Sequence, residues 1–129
     1  EFIKSFDSLL DAQLGAINKT KHAYLLYDYP VETMSVARRK MENKSFVERF
    51  ELFINGLEIG HGFTDSLDAD DVEKRMNRLG WRDDVLLAQL RAGKLPASGG
   101  FGIGIERLVQ VSLGIQSTKD MVVPQVLEV

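Results

Sequence analysis

The 129 residues read as a single α+β domain, 1–129, in which an antiparallel sheet is flanked by helices. Three observations predict it. Asn55-Gly56 lies between two apolar runs, and a type I′ hairpin needs positive φ at both central positions, which Asn and Gly supply at little cost. Ser98-Gly99-Gly100-Phe101-Gly102-Ile103-Gly104 forms a strand almost free of Cβ atoms, after which Ile105, Leu108, Val109 and Leu113 switch to helical spacing until Gly114. Apolar residues also recur at three- and four-residue steps in 2–14, 68–80 and 85–92. The hairpin and the glycine strand are expected in one sheet, with helices 70–79 and 105–113 as its cover.

Composition narrows the function classes. With 44% hydrophobic and 27% charged residues the chain can bury one modest core. A net charge of -3 gives no global basic field of the kind a dedicated nucleic-acid binder carries, and Arg38-Arg39-Lys40 is a local cluster only. No cysteine is present, which excludes disulfides and thiolate metal sites. No apolar run approaches the ~20 residues of a membrane span, so a cytoplasmic location and no membrane partner are expected. The chain opens at Glu1 with neither an initiator methionine nor a leader and is expected to be a piece of something longer.

Taken in order, Phe2, Ile3, Phe6, Leu9, Leu10 and Leu14 predict a helix over 2–14 that Gly15 ends. The aromatic and apolar run 23–29 predicts a strand closed by Pro30, followed by a loop through the basic triplet and a polar turn at 41–45. In the hairpin, a two-residue turn sets Ile54 opposite Leu57, Phe53 opposite Glu58, Leu52 opposite Ile59 and Glu51 opposite Gly60. One face is then Phe50, Leu52, Ile54, Leu57 and Ile59, and the other carries Glu51, Phe53, Glu58 and Gly60. Glu51 and Glu58 become diagonal neighbours roughly 7 Å apart, able to converge on a hard divalent cation or to stand as ordinary solvated strand residues. Gly60 and Gly62 can host a bulge that re-aims His61. Asp68 or Ser66 can cap a helix holding Val72, Met76 and Leu79 and stopped by Gly80. Asp83 or Asp84 begins the next, with Leu86, Leu87 and Leu90 as its buried stripe and Gly93 as its end. A polar turn is expected at Ser117-Thr118-Lys119-Asp120. Neither a P-loop nor a dinucleotide fingerprint surrounds the glycines, and neither His22 nor His61 has a nucleophile motif beside it.

Gly-Phe-Gly-Ile-Gly-Ile-Glu-Arg-Leu-Val, residues 100–109, closely resembles motif 3 of class II aminoacyl-tRNA synthetases. The resemblance implies that Arg107 contacts ATP and that Gly100, Gly102 and Gly104 floor the adenine pocket. Glu48-Arg49-Phe50-Glu51-Leu52-Phe53-Ile54, then Gly56 and Glu58-Ile59-Gly60, is similar to the lysyl-tRNA synthetase signature, whose two glutamates hold the Mg²⁺ that bridges ATP phosphates. That role falls on Glu51 and Glu58. His61, Phe63 and Asp65 correspond to the lining of the amino-acid pocket, with His61 standing for the family's asparagine and Asp65 for its glutamate, one methylene shorter. Tyr29-Pro30, Glu32, Ser35 and Ala37-Arg38-Arg39 match the same family, and Met121-Val122-Val123-Pro124 resembles its terminal segment. The implied protein is an aminoacyl-tRNA ligase, the chain being the C-terminal part of its catalytic domain. It activates an amino acid, lysine, with ATP and Mg²⁺, transfers it to tRNA, and is a homodimer. The resemblance covers 24–124 and brings neither motif 1 nor motif 2, so the chain alone is not expected to complete adenylation. Two other readings stand beside it. One is a lysyl synthetase paralogue that modifies elongation factor P, which Leu26-Tyr27-Asp28-Tyr29-Pro30 also resembles; the other is a nucleotide-binding or regulatory module without chemistry.

Overall fold

The computed structural model describes residues 2–17 and 23–118. Within them, α1 (Phe2–Ile17) precedes β1 (Ala23–Pro30), a 3₁₀ turn (Val31–Thr33), β2 (Phe46–Ile54) and β3 (Leu57–Thr64). Then follow α2 (Ala69–Leu79), α3 (Asp84–Arg91), β4 (Gly99–Ile103) and α4 (Ile105–Leu113). The four strands form one antiparallel sheet in the order β1-β2-β3-β4. The expected α+β class is therefore the observed one.

The β2–β3 turn forms as its sequence requires, with φ of 52° at Asn55 and 74° at Gly56. Ile54 opposes Leu57 and Phe53 opposes Glu58, as expected. The register then shifts: Leu52 opposes Gly60 and Glu51 opposes His61, leaving Ile59 as an extra residue on β3. The simple two-residue alternation fails here because Ile59 buries its side chain, 2% exposed, while its carbonyl accepts from the Gly104 amide at 2.8 Å. Gly60 and Gly62 let β4 come close. A Cβ at Gly60 would lie 2.3 Å from the Gly102 carbonyl oxygen, and one at Gly62 would lie 2.6 Å from that of Gly100.

The shift keeps Glu51, Phe53 and Glu58 on one side as expected, moves Gly60 to the other, and sets His61 and Phe63 beside the two glutamates. Cross-strand partners put Tyr24, Leu26, Tyr29, Val47, Arg49, Glu51, Phe53, Glu58, His61 and Phe63 on one side, together with Gly100 and Gly102. The other side carries Leu25, Tyr27, Phe50, Leu52, Phe101 and Ile103. The sequence pattern points to the all-apolar face as the buried one. In the structure Tyr29, Val47, Glu51 and Phe53 are buried, whereas Leu25, Tyr27, Phe101 and Ile103 on the opposite side are exposed. Phe6 of α1 meets Tyr29 edge to face at 5.7 Å, and Val31 and Ala37 complete that part of the core.

Helix ends follow local chemistry. The Asp68 side chain accepts from the Asp71 amide and that of Asp83 from Leu86, capping α2 and α3, and Gly80 ends α2 at φ 77°. Gly15, by contrast, does not end α1, which runs on to Ile17; one internal glycine costs a helix only about 1 kcal/mol relative to alanine. The second core cluster joins Val72 and Met76 of α2 to Leu87 and Leu90 of α3. Instead of covering the sheet, α2 packs on α3 and on the segment after β1. Arg75, 2% exposed, donates to the carbonyls of Met34 and Ala37 at 3.1 and 2.8 Å and pairs with Asp71 at 2.9 Å. Asp71 also takes Arg39, and Arg38 and Lys40 pair with Glu48 and Asp28, so the basic triplet is neutralised locally. α4 contacts β3, but Ile105, Leu108 and Leu113 stay exposed. His22, Lys119-Asp120 and the Met121–Pro124 segment lie outside the described residues. No helix among the described residues is long and apolar enough to cross a membrane.

Candidate active site

The bulge at Ile59 determines which side chains meet. Without it Glu58 and His61, three residues apart on one strand, would point to opposite sides. With it, Glu51, Glu58, His61 and Phe63 share the side on which Gly100 and Gly102 form the neighbouring strand. A Cβ added at either glycine would meet nothing within 4 Å, so the floor is open to a flat ligand rather than filled by the protein. Gly104 then opens α4 and sets Arg107 in its first turn.

Arg107 Nη1 donates to the Glu58 backbone carbonyl at 2.9 Å and to Oε2 of the same residue at 3.3 Å. His61 Nδ1 lies 3.1 Å from Glu58 Oε1, where a carboxylate can only accept, so the ring nitrogen is the donor. Partial burial works to raise the Glu58 pKa, but the His61 hydrogen bond and the Arg107 charge outweigh it and hold the carboxyl below the usual carboxylate range. Glu58 is thus kept anionic. An open cleft of about 480 Å³ is lined by Glu58, Ile59, Gly60, His61, Gly102, Ile103, Gly104 and Arg107.

Glu51 sits one diagonal step from Glu58 and is 7% exposed, paired with Arg49 Nη2. Arg49 lies in turn over the Tyr29 ring, its Cζ 4.5 Å from the centroid. Burial first, and the neighbouring Glu51 second, push the Tyr29 phenol well above its ordinary pKa. Among the described residues no three His, Cys, Asp or Glu side chains form a ligand cluster. Two carboxylates fit a Mg²⁺ that takes the rest of its shell from phosphate oxygens and water, the arrangement its reluctance to dehydrate favours.

Asp65 stands apart from that cleft. Ser98 Oγ donates to its Oδ2 at 2.8 Å and its amide donates to the Ser98 carbonyl at 2.9 Å, which ties the end of β3 to the approach of β4. It borders a separate cavity of about 200 Å³ walled by Val36, Leu67, Val72, Leu86, Leu90 and Leu95. Arg49 and Ser98, which bond Glu51 and Asp65, are site neighbours to which no motif in the sequence assigns a role. Arg49 was findable, since it stands two positions before Glu51 and so on the same face of one strand. A larger hollow of about 680 Å³ beside α2, lined by Arg38, Arg39 and Asp71 among others, holds none of these groups.

A glycine strand, an arginine in the first turn of the helix after it, a carboxylate on the neighbouring strand β3 and another on β2 beyond it are the features to set beside known proteins. The chain belongs to the class II tRNA synthetases of the D, K and N type, whose family model matches residues 7–124. It is 34% identical over 127 residues to lysine--tRNA ligase 2 of Methanosarcina acetivorans, covering 91% of this chain and 24% of that protein. Against lysine--tRNA ligase of Buchnera aphidicola subsp. Baizongia pistaciae the identity is 37%, over 84% of this chain and 26% of the other. Its fold is similar to that of a crystal structure from Leishmania major Friedlin provisionally described as an aspartyl-tRNA synthetase, with a TM-score of 0.66, 25% identity, and 75% of this chain against 20% of that one. The chain spans about a quarter of the length of these curated relatives.

Proposed function

We propose that this chain is the ATP-facing, C-terminal part of a catalytic domain that activates an amino acid, with lysine the first candidate, and passes it to tRNA. One observation carries the reading: a single bulge gathers Glu51, Glu58, His61 and Phe63 over a floor without Cβ atoms, with Arg107 at its end. Activation forms a bond between a carboxylate oxygen and the α-phosphorus and releases pyrophosphate, so charge develops on phosphate oxygens and no general base is needed. Gly100, Gly102 and Gly104 would let the adenine lie against the strand backbone. Arg107 would exchange its contacts to Glu58 for the nucleotide, as an anion partner or a stacking plane. Glu51 and Glu58 would hold Mg²⁺, which when bound supplies charge neutralisation on the phosphates. Phe63 and His61 would line the amino-acid side, and Asp65 would keep a negative charge for an amine. The tRNA acceptor, a homodimeric assembly and a cytoplasmic location belong to the same proposal.

The test is amino-acid-dependent exchange of pyrophosphate into ATP by the full-length protein that carries this chain. Exchange with lysine above other amino acids is expected; no exchange with any amino acid overturns the reading in favour of a module without chemistry. An anticodon-binding domain upstream favours tRNA over a protein as acceptor.

A further inference from the structure

The residue that the two-carboxylate reading leaves unused is Arg49. Its side chain is 17% exposed and that of Glu51 is 9% exposed, so the pair is largely withdrawn from water, where an ion pair is screened little and holds its geometry. Arg49 Nη2 bonds Glu51 Oε1, and its Cζ lies over the Tyr29 ring, 4.5 Å from the centroid, on a residue itself 3% exposed. Across the ladder Arg49 stands opposite Phe63. Its Nε is buried and has no hydrogen-bond partner among the described residues, so the stacking and the single carboxylate bond are what orient it.

The Arg49 bond thus holds Glu51 Oε1, on a residue one diagonal step across the ladder from Glu58. We infer that Arg49 is a positioning residue: clamped between Tyr29 and Glu51, it fixes the Glu51 carboxylate in the orientation that receives a divalent cation carrying the nucleotide phosphates. This rests on the assignment of Glu51 and Glu58 to Mg²⁺. The plane of the guanidinium matters as well as its charge, because an ammonium cannot lie flat on a ring and present a fixed N–H to an oxygen together. A positive charge beside a metal ligand could instead act as a competitor for the cation, and the sign of the effect separates the two roles.

The experiment is a calorimetric titration of ATP into the full-length protein at a series of Mg²⁺ concentrations, with melting temperature followed in parallel. Arg49→Met and Arg49→Lys are both expected to raise the Mg²⁺ concentration for half-maximal ATP binding, by about tenfold and somewhat less, as for one lost charge-assisted contact. A role in stability alone would lower the melting temperature and the fraction of competent protein without moving that midpoint. A midpoint unchanged or lowered in both folded variants overturns the inference, the lowered one marking Arg49 as a competitor. Glu51→Gln serves as the control: if it too leaves the midpoint unmoved, the metal assignment has failed, whereas a shift in Glu51→Gln with none in Arg49→Met defeats the positioning role alone.

Discussion

Glu58 holds three contacts at once, to His61 on its own strand and twice to Arg107 on α4, and all of them are groups that a nucleotide and its cation would have to redistribute. Its depressed pKa follows from those contacts, so the carboxylate stays charged across the neutral range. Glu58→Gln keeps the shape and removes the charge; Arg107→Ala removes the partner. Each is expected to weaken Mg²⁺-dependent ATP binding by roughly ten- to a hundredfold, since a charge-assisted hydrogen bond contributes about 1.5 to 3 kcal/mol. Melting temperatures should move little, because these side chains are partly exposed and ion pairs of that kind contribute at most about 1 kcal/mol. If ATP binds to the unaltered protein and both substitutions leave its affinity as it was, the site lies elsewhere.

At the scale of elements, the glycines of β3 and β4 look alike in sequence and do different things. Gly60 and Gly62 are sterically required, whereas Gly100 and Gly102 face open space. Gly60→Ala should therefore destabilise the fold by about 1 to 3 kcal/mol, the usual cost of forcing atoms into a packed contact. Gly102→Ala should leave chemical denaturation almost unchanged and instead weaken nucleotide binding by lifting the ligand off its floor. Equal stability losses in the two variants would mean that the floor is structural. Much of this level was legible in the sequence. The Asn55-Gly56 turn, the caps at Asp68 and Asp83 and the stop at Gly80 follow from local backbone chemistry that no distant contact has to supply. The bulge was open only as a possibility, since its position depends on Ile59 finding burial and on its carbonyl meeting Gly104, residues 45 positions apart.

For the whole molecule, what the sequence could not reveal is what covers what. The alternation in β2 marks Phe50, Leu52 and Ile54 as a core face, and the helical spacing in α4 marks Ile105, Leu108 and Leu113 as a buried stripe, yet α1 and the segment after β1 cover the opposite side and α2 turns to α3. A periodic pattern fixes which residues share a side and leaves open which neighbour covers it. The consequence is a sheet side with Leu25, Tyr27, Phe101 and Ile103 exposed, between β1 and β4, the edge strands of the four-stranded order among the described residues. An apolar surface exposed across two edge strands favours association with another copy through burial. The 129-residue chain on its own should therefore sediment as concentration-dependent oligomers. Leu25→Lys with Tyr27→Lys places two charges on edge strand β1 at exposed positions outside the candidate site, so it should shift the chain toward monomer without lowering its melting temperature. Sedimentation velocity over a hundredfold range of concentration decides the point: a monomer throughout, or a double variant that associates as strongly as the unaltered chain, would show that this surface does not drive association.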